Sequence, residues 1–275
     1  CDMSLWPVGE NSALARLEDF LSERVTNYER DRNDPNLEGT SRLSPYLALG
    51  IISSRRSIQK SYEQNDKNLI KKNQGIVKWI DELIWREFYR NIMHLNPKVS
   101  KNQPFKDSTK NIHWRYDEDQ FQSWCEGQTG FPIIDAAMRQ LKHEGWMHNR
   151  LRMVVAMFFS KNMFHDWRIG EKFFMENLID GDFSSNNGGW QWSASTGTDA
   201  APYFRIFNPV SQSEKFDKTG AFIKRYVPEL KDLNSKEIHS PVQGLLYPEG
   251  YPKPMLDLKE TRLLAIETFK NHKDI

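Results

Sequence analysis

Cysteine is scarce in this sequence: Cys1 and Cys125 are the only two in 275 residues. That excludes a multi-bridge disulfide scaffold and suggests a reducing compartment. Long apolar runs are missing too. The longest, Met153 to Phe159, is far short of the roughly 18 residues that suggest a membrane span, so a soluble protein is expected. Charge of one sign is not in excess, and the net value of +1 says little about partners, because a local basic face suffices for nucleic acid. There is no signal-peptide pattern, no Met at the first position, no internal repeat and no long low-complexity tract. Strand-like alternation is hardly supported anywhere, so a mainly α fold is expected.

What is present concentrates in Asp180 to Trp192, D-G-D-F-S-S-N-N-G-G-W-Q-W. Asp-Gly and Asn-Gly are turn dipeptides, and a surface turn would explain that half. Two large aromatics, Trp190 and Trp192, beside Gly188 and Gly189 fit a mobile solvent loop poorly. Backbone that can approach a ligand closely, next to aromatic faces and amides, suits a planar ligand better.

Periodicity places the helices. Residues 1–11 read as a linker, with a helix from Asn11 or Ser12 that buries Leu14, Leu17, Phe20 and Leu21. Tyr28 to Gly39 is polar and turn-rich and leads into Thr40, Ser41, Arg42, Leu43 and Ser44; hydroxyls around an Arg can hold a phosphate or simply cap a helix. Ile76 to Met93 reads as one helix with Ile76, Ile80, Leu83, Ile84 and Phe88 as its core stripe. Trp79, Glu82 and Arg86 share another face with Trp85 alongside, the plain alternative being a surface pair between Glu82 and Arg86. A helix from Pro132 is ended by Gly145, and the next starts near Trp146 with Asn149, Arg150 and Met153 on one side. A last helix runs from about Leu256 to Phe269. His143, Glu144 and His148 have the wrong spacing for a zinc motif, and Gly145 interrupts them, so no metal is expected.

The opening stretch, its continuation A-S-T-G-T-D-A-A-P-Y-F-R-I-F-N-P at Ala194 to Pro209, W-I-D-E-L-I-W-R-E-F-Y-R at Trp79 to Arg90 and G-W-M-H-N-R-L-R-M at Gly145 to Met153 together resemble the photolyase and cryptochrome family, with class I cyclobutane pyrimidine dimer photolyases closest. The resemblance covers roughly Tyr28 to Leu230 and is rich in rare Trp. It implies an all-helical FAD-binding and lesion-binding catalytic domain over residues 12–275. Family members usually carry an N-terminal α/β antenna domain that nothing here matches, so a C-terminal fragment is expected, with any folate- or deazaflavin-type antenna pigment held elsewhere.

By the same resemblance, Tyr28, Thr40, Ser41, Arg42, Leu43 and Ser44 lie along the diphosphate side of FAD. Trp79, Glu82, Arg86, Trp146, Asn149, Arg152, Asp180, Gly181, Asp182, Ser185 and Asn186 line the cofactor, with Asn186 at the flavin N5. Ser185 departs from the Ala common in close relatives. Glu82, Asn149, Met153, Trp85 and Trp192 would meet the pyrimidine dimer. Trp190, Trp167 and Trp114 would form an electron-transfer chain, and Arg32, Arg86, Arg150, Arg205, Gln212 and Lys215 would contact DNA with the lesion-facing residues. The implied activity is light-driven repair of pyrimidine dimers in UV-damaged DNA, with a cryptochrome-type photoreceptor as the alternative. The protein would be a monomer, cytoplasmic in a bacterium and nuclear or mitochondrial in a eukaryote.

Overall fold

The computed structural model describes residues 1–68, 73–200, 204–241 and 247–271. The regular structure of the described residues is helical, and their only strand-like pairing is an isolated bridge between Arg115 and His165. No helix among them is long and apolar enough to cross a membrane.

The chain opens with a short turn and enters α1 (Glu10–Asp19), a residue or two earlier than the pattern suggests. The opening segment expected as a linker is pinned along its length. Asp2 N donates to His143 O, the Trp6 indole donates to Glu144 O at 2.8 Å, and Tyr46 Oη donates to Pro7 O at 2.7 Å. After α1 the backbone passes through a π turn (Phe20–Arg24) and a 3-10 turn (Val25–Asn27) into α2 (Tyr28–Asp31). Then come α3 (Ser44–Ala48), α4 (Ser54–Gln64), capped by Ser53, and α5 (Gln74–Leu95), capped by Asn73. A Cβ on Gly75 would lie 1.8 Å from Val25 O, so only glycine lets the first turn of α5 cross the 3-10 turn this closely. Phe20, Tyr28, Leu43, Ile76, Trp79, Ile80 and Leu83 fill the core between them.

A second core lies under α6 (Glu118–Glu126), α7 (Pro132–Glu144), α8 (Asn149–Met157), α9 (Trp167–Asn177) and α10 (Phe183–Ser193). Helix α8 starts three residues after Trp146, with His148 as its cap, and a π turn (Phe158–Asn162) extends it. The chain closes with α11 (Pro209–Phe216), α12 (Ala221–Tyr226) and α13 (Leu258–Asn271).

One expectation is corrected and one open reading is settled. Ile84, placed in the core stripe of α5, is 55% exposed; the helix outlasts the first core, and its second half turns toward α10. The Asp180 to Trp192 run, with its turn dipeptides, is mostly helix. Asp182 Oδ1 accepts from Ser185 N at 3.0 Å, and this cap starts α10 through both glycines. Residues 201–203 of the continuing motif lie outside the described residues.

Candidate functional site

The head of α10 is built from carboxylates held by arginines. Asp182, having capped the helix with Oδ1, presents Oδ2 to Arg86 at 3.2 Å and Arg90 at 3.4 Å, both from α5. Burial opposes its charge, but the Ser185 amide and hydroxyl together with the two guanidinium groups hold the carboxyl below its usual range. Arg86 also donates to Leu47 O at 2.8 Å, which ties α3 to the same point. Asp180 is buried and paired through Oδ2 with Arg152 at 2.7 Å. Its Oδ1 is buried without a hydrogen-bond partner.

The Glu82 to Arg86 surface pair is not what forms on α5. Glu82 meets Arg32 from the α2 end, and the Arg32 guanidinium lies 5.4 Å from the Tyr28 ring centre. Burial, then the charge of Glu82, pushes the Tyr28 phenol up. Trp79 is buried against Phe20 at 5.3 Å, whereas Trp85 is 50% exposed, edge-on to Phe88.

The T-S-R-L-S segment does not cap α3 through a side chain. Ser44 Oγ instead accepts from the Trp146 indole at 3.1 Å, and the Arg42 guanidinium lies 4.8 Å from the Trp146 ring centre and 3.4 Å from Glu144. Thr40, Ser41 and Arg42 stay half-buried while Leu43 is buried. His148 is far from a cation: burial, followed by the nearby arginines, pushes its pKa down to about 3.

Asn186 and its neighbours show what sequence reasoning missed. The Asn186 amide donates to Glu171 O at 2.9 Å and to Glu171 Oε1 at 3.2 Å, so its carbonyl oxygen is the end left to face away from α9. Burial pushes the Glu171 carboxyl up. No local pattern marks Glu171, because its role arises only where α9 packs on α10. Gly188 has a similar hidden reason: a Cβ there would sit 2.1 Å from the Tyr89 ring, so it is a packing contact with α5. Gly189 is the reverse, with nothing within 4 Å of an added Cβ. Gly181 lies over Met175.

Further along, the Arg205 guanidinium lies 5.1 Å from the Trp192 ring centre and pairs with Asp199 at 2.7 Å. Arg150 bonds Asn33 at 2.6 Å and lies 4.5 Å from the Phe216 ring centre, and Lys215 approaches the same ring, so α8 and α11 bring two of the expected DNA contacts together. Gln212 is half-buried on α11. Asn149 is exposed and Met153 half-exposed on α8. Trp190 and Trp167 are buried, and Trp114 is half-buried between Phe164 and Phe269.

The donor set suits a flavin dinucleotide. An orphaned carboxylate oxygen on Asp180, an oriented amide oxygen on Asn186 and the open space at Gly189 face the needs of a planar, hydrogen-bonding ring. The Arg42, Ser44 and Trp146 cluster offers cationic and hydroxyl groups suited to a diphosphate. No three His, Cys, Asp or Glu side chains group as metal ligands among the described residues.

Comparison with known proteins agrees with this geometry. Residues 79–271 match the family described as the FAD binding domain of DNA photolyase. A deoxyribodipyrimidine photo-lyase of Vibrio cholerae is 48% identical over 99% of this chain, and the chain spans 58% of that relative. A class III photolyase from Agrobacterium tumefaciens superposes with a TM-score of 0.91 at 38% identity, over 99% of this chain and 57% of its own. A cryptochrome from Synechocystis superposes at 0.87 with 33% identity, over 96% of this chain and 56% of its own.

Proposed function

Because the chain belongs to the family of FAD-binding domains of DNA photolyases, we propose that it binds FAD and carries the catalytic half of a light-driven enzyme that splits cyclobutane pyrimidine dimers in UV-damaged DNA. The observation that carries this reading is the convergence of Asp180, Asp182, Asn186, Arg86 and Arg152 at the head of α10, with one Asp180 oxygen left buried and unpartnered.

No side chain here can open a cyclobutane ring thermally, and what FAD supplies when bound is a light-driven loan of one electron to the dimer and its recovery. The protein's own work is positional. Asp180, Asp182 and Ser185 would hold the polar atoms of the cofactor, and the Asn186 carbonyl would accept a hydrogen bond from a protonated ring nitrogen of the reduced flavin. That preference would favour keeping the flavin reduced. Arg42 and Ser44 hold the diphosphate side.

The dimer is flipped out of the duplex, which costs less at a lesion whose stacking is already disturbed. Trp85, half exposed, and Trp192 stack on the flipped bases. Glu82 and Asn149 bond their edges beside Met153. Glu82 is engaged by Arg32 in this structure, so lesion binding exchanges that partner for the pyrimidine edge and releases Arg32 to phosphate. Arg150, Arg205 and Lys215 add backbone contacts, which makes affinity fall with salt and leaves it indifferent to flanking sequence.

The test is to purify the chain, record bound flavin by absorption, reduce it and illuminate it with an oligonucleotide holding one thymine dimer. Light-dependent recovery of intact thymines, lost in Trp192→Ala, supports the proposal. Flavin that photoreduces without any repair sinks it in favour of a photoreceptor.

A further inference from the structure

The residues assigned so far leave unused an aromatic ladder that runs from Trp190 to Tyr116 at the surface, two residues along the chain from Trp114. Trp190 contacts Trp124 at 6.2 Å between ring centres, Trp124 stacks on Phe121 at 6.3 Å, and Phe121 meets Tyr116 at 6.2 Å. A parallel path converges on the same tyrosine: Phe159 lies 5.6 Å from Trp190, His165 lies 5.2 Å from Phe159, and Tyr116 lies 5.6 Å from His165. Trp124 is fully buried and Tyr116 is 54% exposed. Trp114 packs between Phe164 and Phe269 at the edge of the same core.

The proton contacts along the ladder are graded. The indole nitrogens of Trp190 and Trp124 are buried with no hydrogen-bond partner. A radical cation on either ring therefore has no group to take its N–H proton, so it keeps its oxidising power and passes the hole on. Tyr116 Oη, in contrast, donates to Glu118 Oε2. That hydrogen bond is the chief reason the phenol titrates above its usual range, while Gln122, then Tyr116, hold the Glu118 carboxyl low. A carboxylate placed on a phenol is what an oxidised tyrosine needs, because its proton must leave as its electron does.

We propose that Tyr116 is the proton-coupled end of a second hole-transfer route from Trp190, running through Trp124 with Phe121 and the Phe159 and His165 pair as bridging rings. The inference rests on the flavin reading above. One electron leaves Trp190 for the photoexcited flavin, one from Trp124 refills Trp190, and one from Tyr116 refills Trp124. The Tyr116 proton passes to Glu118, leaving a neutral tyrosyl radical and a protonated carboxyl. An external thiol returns one hydrogen atom to Tyr116, and Glu118 gives its proton to water. The exposed position of Tyr116 makes it accessible to that thiol. The route gives the buried cofactor a reducing path that survives loss of the Trp114 terminus.

The test is flash illumination of the FAD-loaded chain without thiol, with electron paramagnetic resonance used to identify the radical formed. In Trp114→Phe, the tyrosyl signal is expected to rise several-fold over the unaltered chain. Adding Tyr116→Phe abolishes that signal with bound flavin unchanged, and adding Trp124→Phe lowers it several-fold. Glu118→Gln slows its appearance and makes the rate depend on pH, which a purely structural contact would not do. Flavin that photoreduces in Trp114→Phe with no tyrosyl radical, or with one that persists in Trp114→Phe/Tyr116→Phe, overturns this proposal alone. Absence of bound flavin overturns the flavin reading and this proposal with it.

Discussion

The two adjacent glycines of α10 offer a controlled experiment. Gly188→Ala and Gly189→Ala make the same chemical change one residue apart in the same helix, and each gains about 0.5–1 kcal/mol of helical preference. They differ in what the new methyl meets. At 189 nothing lies within 4 Å, whereas at 188 the Cβ would be 2.1, 2.4 and 2.9 Å from three atoms of the Tyr89 ring. That ring is packed edge-on against Phe88 at 5.4 Å and lies 6.5 Å from Trp85, so it has to push its neighbours in order to move. Overpacking of this kind costs about 1–3 kcal/mol. The propensity gain cancels between the two variants, and their difference should be the packing cost. At about 2–4 °C per kcal/mol for a chain near this size, flavin-free Gly188→Ala should melt several degrees below Gly189→Ala by circular dichroism. Gly189→Ala should melt at or above the unaltered chain while losing flavin, because its methyl fills the space assigned to the ring. Equal melting temperatures, or Gly188→Ala the more stable of the two, would refute the assignment of Gly188 to packing and Gly189 to the cavity.

Other outcomes follow from the same geometry. Glu171→Leu removes the side-chain one of the two acceptors that orient the Asn186 amide and keeps the backbone one, so the photoreduced flavin should reoxidise in air measurably faster, read by the return of its visible absorption. Asp180→Asn removes the ion pair with Arg152 and replaces one of the two carboxylate acceptors with an NH2 donor; flavin retention in equilibrium dialysis should fall at least tenfold. Lys161 is buried, bonded to Ser195 Oγ at 2.8 Å, and burial pushes its pKa down from 10.5 to about 7. The unfolded chain therefore holds more protons than the folded one between those values, so this group's contribution to stability rises with pH from about 7 toward 10.5. Lys161→Met should flatten that slope in urea melts across the window. Arg150→Ala should weaken binding to damaged and undamaged DNA alike and lower the salt slope by about 1.

The helices α5 and α7 were legible because their apolar residues recur at helical spacing, and Pro132 and Gly145 mark the ends of α7. Ile84 was misplaced by that same rule, since periodicity cannot tell where along a 22-residue helix its packing partner changes. The α10 run was not legible as a helix for the opposite reason. Its Asp-Gly and Asn-Gly pairs signal turns locally, and only the Asp182 cap together with the Tyr89 ring seated on Gly188 makes it helical. Residue chemistry alone left Ser41, Arg42 and Glu82 as readable for caps and surface pairs as for ligand contacts. Glu171 gave no sequence signal and Glu144 only that of a mis-spaced metal motif, because each matters through residues distant in the chain.

The buried Trp6 gives the opening residues reach. It sits 6.3 Å from Trp146, the ring that carries Arg42 and Ser44, and its indole fastens to the last turn of α7. A protease that clipped the chain ahead of α1 would pull a wedge from behind the diphosphate cluster without touching it. Shortened versions of this domain that begin at the first helix should express as folded protein yet release their dinucleotide, so the nine residues before α1 set the minimum length at which the domain can be handled as a holoprotein.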